Sequence, residues 1–198
     1  MSVGPVGESA FRAWDADGWD DLRAIWEDLI PDPDVPPMFR HISSLILNPQ
    51  QSGWVFERWV MEAFRLSGAE VEHRHRNLRT GSFNLLEEID GLVYDGWQGF
   101  LVETKYEKDP VSIDPIFRLH LMAEQRPAGT LGLFFSMSGF TGPALELSDR
   151  LRPIRVLLIE EKDVRMNLQN QPLPDMISMV RNKWKRAVQS GRTDPRIR

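Results

Sequence analysis

The feature that most constrains the fold is the stretch "EEIDGLVYDGWQGFLVETKYEKDP" at positions 87–110. Two apolar runs, 85–94 and 99–106, flank the turn-forming residues "DGWQ", a pattern that predicts the two strands of a β-hairpin. Each run nevertheless contains charge, with Asp90 in the first and Glu103 and Lys105 in the second. Burying an unpaired charge is costly, so these three residues require an explanation beyond packing.

The segments around the hairpin predict an α/β fold. The core order is helix, three strands, helix, strand, helix, strand, which gives a mixed sheet with helices on its faces. "PDPDVPP" breaks the chain after the first helix, and Thr141 is a predicted N-cap. The predicted helices are 18–30, 38–47, 50–67, 113–125, 161–168 and 174–190, and the further strands are 69–76, 130–137 and 154–160.

Composition and charge exclude several classes of function. The absence of cysteine excludes a disulfide framework, a thiolate nucleophile and a cysteine-ligated zinc. No apolar run approaches a membrane span, and the N-terminus lacks a secretory signal, so we expect a cytoplasmic protein with no membrane association. The net charge is −5, but the last 49 residues carry 12 Lys+Arg against 5 Asp+Glu, a local basic patch suited to phosphate.

The hairpin predicts a cluster of the three charged residues. Residues two apart on a strand share a face, and a turn at 95–98 lays Asp90 beside Glu103 and Lys105. Two close carboxylates repel unless a cation holds them, and Mg²⁺ binds a few carboxylate oxygens while keeping water ligands. Such a water can attack a phosphodiester, assisted by a lysine. From spacing alone, a simple Glu-x-Lys ion pair on a strand remains the alternative.

The segment "EIDGLVYDGWQGFLVETK" resembles the PD-(D/E)XK, or restriction-endonuclease-like, nuclease superfamily, and in particular the Mrr-type restriction endonuclease domains. Asp90 in "IDG" and Glu103 and Lys105 in "ETK" match the signature, although no proline stands beside Asp90. The superfamily core runs αβββαβ, the order predicted above. The helix "GWVFERWVMEAF" and the segment "GTLGLFFSMSGFTGPALE" also match, so the resemblance covers residues 49–150.

The resemblance implies a metal-dependent endonuclease that hydrolyses DNA and restricts foreign DNA such as that of phage. Asp90 and Glu103 would hold Mg²⁺, with Mn²⁺ as a substitute, and the Thr104 carbonyl and Glu57 on the first core helix would assist. Lys105 would act on the attacking water or on the transition state. The implied catalytic residues are therefore Asp90, Glu103, Lys105 and Glu57.

Basic and hydroxyl side chains in three places are candidates for phosphate contacts. The run "HRHRNLR" could follow a nucleic-acid backbone or form a charged edge strand that resists aggregation. Ser138 could donate to a phosphate, although helix capping is the commoner role of this segment. Trp184 in "RNKWKR" could stack on bases or anchor the last helix, the commoner role. The candidates are His73, Arg74, His75, Arg76, Arg79, Ser138, Lys183, Lys185 and Arg186.

The chain divides by composition into an acidic N-terminal helical extension (1–48), the nuclease core (49–160) and a basic C-terminal helical segment (161–198). The extension is too short and acidic for the separate recognition domain of Mrr-type enzymes, so we expect a protein subunit that supplies target recognition. Cutting both DNA strands needs two sites, which favours a homodimer. Two alternatives stay open: a non-catalytic nucleic-acid-binding or scaffold subunit of a defence or repair assembly, and an RNA- or structure-specific nuclease.

Overall fold

The computed structural model describes residues 18–29, 40–42, 45–47, 49–78, 86–96, 98–170 and 172–192. The helices in these ranges are α1 (Trp19–Leu29), α2 (Pro49–Leu66), α3 (Ile113–Glu124), α4 (Gly142–Ser148), α5 (Glu161–Leu168) and α6 (Met176–Ser190). The strands are β1 (Arg40–Ile42), β2 (Leu45–Leu47), β3 (Glu70–Leu78), β4 (Leu86–Asp95), β5 (Gln98–Lys105), β6 (Leu131–Ser136) and β7 (Val156–Glu160). The predicted break at 31–37 lies outside them.

Strands β3 to β7 form one mixed sheet in the order β3-β4-β5-β6-β7. β3, β4 and β5 are antiparallel neighbours, and only two residues connect β4 to β5, whereas β5, β6 and β7 are parallel and need helical crossovers. The predicted αβββαβ order and the mixed sheet are therefore confirmed. Thr141 caps α4 as predicted, accepting a hydrogen bond from the Ala144 N–H at 3.2 Å.

Helices cover both faces of the sheet. On one face α2, α5 and α6 pack with the inward residues Phe100 and Val102 of β5, and on the other α3 and α4 pack with Leu101. Burying each of these large apolar side chains contributes about 1.5–3 kcal/mol. Helix α1 packs into the core on the α2 face of the sheet, where the Trp59 indole N–H donates a hydrogen bond to the Leu22 carbonyl at 2.7 Å. No helix within the described ranges is both long and apolar enough to cross a bilayer.

The predicted helix over 38–47 is wrong. β1 and β2 pair there as an antiparallel hairpin, with Arg40 opposite Leu47. Short apolar runs satisfy helical and strand periodicity equally well, and "HISSLIL" contains two β-branched isoleucines and a turn-forming serine pair. The other predicted helices and strands are present, with ends shifted by at most two residues.

Candidate active site

Asp90 lies where the β4–β5 hairpin stops pairing regularly. The ladder runs from Asp95 opposite Gln98 to Gly91 opposite Val102. At the following position the Thr104 N–H and the Thr104 Oγ1 both donate to Asp90 Oδ2, each at 2.7 Å. A carboxylate thus takes the place of a backbone carbonyl as acceptor, and two charge-assisted hydrogen bonds fix its orientation.

Gly91 explains part of this local geometry. A Cβ at Gly91 would press on the end of the flexible Met61 side chain of α2 and lie 3.0 Å from the Glu72 carbonyl oxygen, so a larger residue here would require these neighbours to shift. Strict alternation would place Ile89 on the same face as Gly91. Ile89 instead packs in the core on the α3 face, so the alternation is broken around Asp90.

Glu103 and Lys105 share the α3 face at the end of β5, as predicted. Lys105 Nζ lies 3.1 Å from Glu103 Oε1, and their side chains are 31% and 16% exposed respectively. Burial and, secondarily, the nearby Asp90 carboxylate raise the pKa of Glu103 despite the attraction of Lys105. Burial lowers the pKa of Lys105, but the attraction of Glu103 and Asp90 outweighs it, so the pKa is raised and the ammonium is favoured.

A cavity of about 340 Å³ opens beside this pair. Glu103, Lys105, Asp114 and Arg118 supply its polar lining. Arg118 Nη2 donates to the Glu88 carbonyl at 3.1 Å, and the Arg118 charge acts to lower the pKa of Glu103. Sequence reasoning missed Asp114 and Arg118, because no motif distinguishes them from ordinary exposed charges of a helix.

The donor set fits a small divalent cation. Asp90 and Glu103 are close enough for repulsion to contribute to the raised pKa of Glu103, a cost that a cation between them would remove. Magnesium accepts one or two carboxylates and completes its shell with water. Among the residues that the structure describes, no cluster of three or more acidic or histidine side chains suits a metal. Glu57 is half-buried on α2, and its predicted role remains a prediction.

His73 lies in an ion cluster that the sequence did not reveal. Glu62 on α2 is 1% exposed and pairs with Arg65 at 2.6 Å, Arg58 at 3.2 Å and His73 at 3.6 Å. Burial acts to raise the pKa of Glu62, but the hydrogen bonds from His73 and Arg65 and the charge of Arg58 outweigh it and lower the pKa. Of the other candidates on this edge, Arg74, His75 and Arg76 belong to β3, and Arg79 lies outside the described residues.

Lys183 is a correction to the predicted phosphate-binding set. Its side chain is 2% exposed, and Nζ lies 2.7 Å from Asp163 Oδ2, so it cannot reach a ligand at the surface. Lys185 is exposed, and Arg186 is partly buried. The Ser138 hydroxyl donates to the Asp109 carbonyl at 2.7 Å, a contact within the fold rather than a helix cap.

The sheet order and its flanking helices define a restriction-endonuclease-like domain. The sequence model of the restriction endonuclease family Mrr_cat matches residues 50–166, and the chain belongs to that family. This confirms the resemblance found in the sequence.

Other comparisons add similarity of fold. No curated protein matches the chain. Similar solved structures include the protein of unknown function AF1548, with a TM-score of 0.41 and 11% identity over 70% of this chain and 78% of that chain. MspJI restriction endonuclease in complex with a 27-mer oligonucleotide has a TM-score of 0.34 and 17% identity over 74% of this chain and 40% of that chain. A type III CRISPR defence DNA nuclease activated by cyclic oligoadenylate has a TM-score of 0.42 and 14% identity over 87% of this chain and 27% of that chain. The match spans less than half of each of the last two chains.

Proposed function

We propose that this protein is a metal-dependent endonuclease that hydrolyses DNA phosphodiester bonds at the Asp90, Glu103 and Lys105 cluster. The observation that carries the proposal is the pairing of these three residues at the end of the hairpin, in a chain that belongs to a restriction endonuclease family. Family membership supports DNA as the substrate and the restriction of foreign DNA as the biological role.

Each residue has a chemical role in the proposal. Asp90 and Glu103 would hold Mg²⁺ or Mn²⁺, together with the Thr104 carbonyl, and Glu57 would assist. The bound cation would supply an acidified water and neutralise charge on the phosphate. Lys105 stays protonated because of its two carboxylate neighbours, so it can donate a hydrogen bond to the attacking water or to the phosphate oxygens in the transition state.

Arg118 extends this set. It lines the same cavity as Lys105 and is held by the Glu88 carbonyl, so its guanidinium is positioned to contact a phosphate without a large loss of side-chain entropy. We include it as a phosphate-binding residue.

The test is cleavage of supercoiled plasmid DNA with Mg²⁺ or Mn²⁺ and with EDTA. We expect metal-dependent nicking by the wild type and a loss of about 100-fold or more in Asp90→Ala and Lys105→Ala. Lys108→Ala is the matched control, because Lys108 is exposed, lies three residues beyond Lys105 and does not line the cavity. Circular dichroism establishes that each variant is folded.

Three outcomes decide between the candidate functions. Nicking that disappears in both site variants but not in Lys108→Ala supports the proposal. Cleavage of RNA or branched substrates in place of duplex DNA would support the alternative nuclease. A wild type inert on every substrate with both metals refutes the standalone enzyme and leaves the binding or scaffold subunit.

A further inference from the structure

A second cavity lies at the opposite end of the sheet from the candidate active site. It has a volume of about 580 Å³, which is within the range of small-ligand sites. Gln98 and Phe100 at the start of β5 line it, whereas Glu103 and Lys105 at the end of β5 line the first cavity. Lys105 lies seven positions after Gln98 along the extended strand, so the two sites are about 23 Å apart.

Apolar and aromatic side chains form part of the cavity lining. Phe100, Leu131 and Val180 provide apolar surface, and Trp184 of α6 forms one side. Trp184 is partly buried against the core on the α2 face of the sheet. It therefore anchors α6, which the sequence analysis gave as a commoner role than stacking on bases. The part of its indole that faces the cavity offers a stacking surface for a planar ring.

The polar lining favours an anion. Among the described lining residues, Arg155 and Arg181 carry positive charge and Asp95 carries negative charge. Arg181 Nε is already bound to Asp95 Oδ2 at 3.1 Å, which leaves the charge of Arg155 in excess. Arg155 Nε is buried and has no hydrogen-bond partner among the described residues. Because Nε is inaccessible to solvent, a ligand in the cavity would contact Arg155 through the terminal nitrogens of its guanidinium.

We propose that this cavity binds a nucleotide, with the base against Trp184 and the phosphate at Arg155. A nucleotide combines a planar aromatic ring with an anion, and it is the chemistry that this lining would recognise. The nucleotide is either free or a unit of a single strand. The site is separate from the proposed catalytic cluster and does not depend on it.

Isothermal titration of the full chain in EDTA tests the proposal. The probes are adenosine 5′-monophosphate and a single-stranded tetradeoxynucleotide, with adenosine and inorganic phosphate as fragments. We expect saturable binding at about 1 mM or tighter for at least one nucleotide probe and weaker binding of either fragment. Saturation by the monophosphate identifies a free nucleotide as a sufficient ligand, whereas saturation by the tetranucleotide alone identifies a strand.

Variants localise the binding. Arg155→Gln should weaken it by about tenfold or more, and Trp184→Phe should retain it while Trp184→Ala weakens it. Arg150→Gln is the matched control, because it removes the same charge from an exposed position that does not line the cavity. The absence of saturation by every nucleotide probe overturns the proposal, and so do equal losses in Arg155→Gln and Arg150→Gln.

Discussion

Thr104→Val tests whether the orientation of Asp90 controls activity. Valine has nearly the shape of threonine and suits a strand, and Thr104 is only 7% exposed, so the change leaves packing intact. It removes the Oγ1 donor to Asp90 and keeps the N–H donor of the same residue. A hydrogen bond to a charged group contributes about 1.5–3 kcal/mol, or about 10- to 100-fold in rate. Loss of partners that orient metal ligands costs a similar factor.

We therefore expect kcat/KM for DNA cleavage to fall by about 10- to 100-fold in Thr104→Val, with a higher Mg²⁺ concentration at half-maximal rate. The assay is the initial rate of plasmid nicking over a Mg²⁺ titration, with the melting temperature measured alongside. Thr104→Ser restores the hydroxyl and should recover most of the rate. A Thr104→Val enzyme that cleaves within about twofold of the wild type at every Mg²⁺ concentration would refute this reasoning.

Three further predictions concern charged residues. Arg118→Ala removes a cation that lowers the pKa of Glu103, so the acid limb of the pH–rate profile should move to higher pH; an unchanged limb would contradict this. Glu62→Gln should lower the urea-unfolding free energy at pH 7 by about 2 kcal/mol, less than for a fully buried pair because its arginine partners are part-exposed. Folding lowers the pKa of Glu62, so the difference in unfolding free energy between wild type and variant should be complete above about pH 4.3, the pKa in the unfolded chain. It should disappear as the pH falls through the lower pKa of the folded state, and equal stability of the two proteins at pH 7 would contradict the prediction. Lys183→Met should lower the melting temperature by leaving Asp163 without its buried partner, and it should leave DNA affinity unchanged, whereas lost affinity at unchanged stability would indicate contact with DNA.

The adjacency of Asp90 and Glu103 could be predicted because a hairpin fixes it by counting. A turn closing at 95–98 pairs Gly91 with Val102, as found, and counting one position further outward brings Asp90 next to Glu103, although the regular ladder ends at Gly91 and Val102. The bond from Thr104 to Asp90 could not be predicted, because it requires the broken alternation around Asp90. That break is a property of the folded strands, in which regular β4–β5 pairing ends at Gly91 and Val102.

Lys183 and Glu62 show the limit of arguments from charge patterns. Both stand in charged sequence, "RNKWKR" for the lysine and a helix with two arginines for the glutamate, and such patterns are typical of solvated faces. Each is nevertheless almost completely buried. Lys183 pairs with Asp163 of α5, and Glu62 pairs with His73 of β3 in addition to the two arginines of its own helix. Periodicity along one element cannot reveal an ion pair between two elements.

The candidate site is stable enough to fold, yet it retains a mismatch that a metal would remove. Thr104 donates hydrogen bonds to the Asp90 carboxylate, and Lys105 forms an ion pair with Glu103, so neither carboxylate is buried without a partner. Burial and the remaining repulsion from Asp90 raise the pKa of Glu103, which favours its protonated form when no cation is present. A divalent cation between the two carboxylates reverses that effect, because its attraction exceeds what one lysine supplies. Relief of this repulsion therefore favours the proposed metal binding.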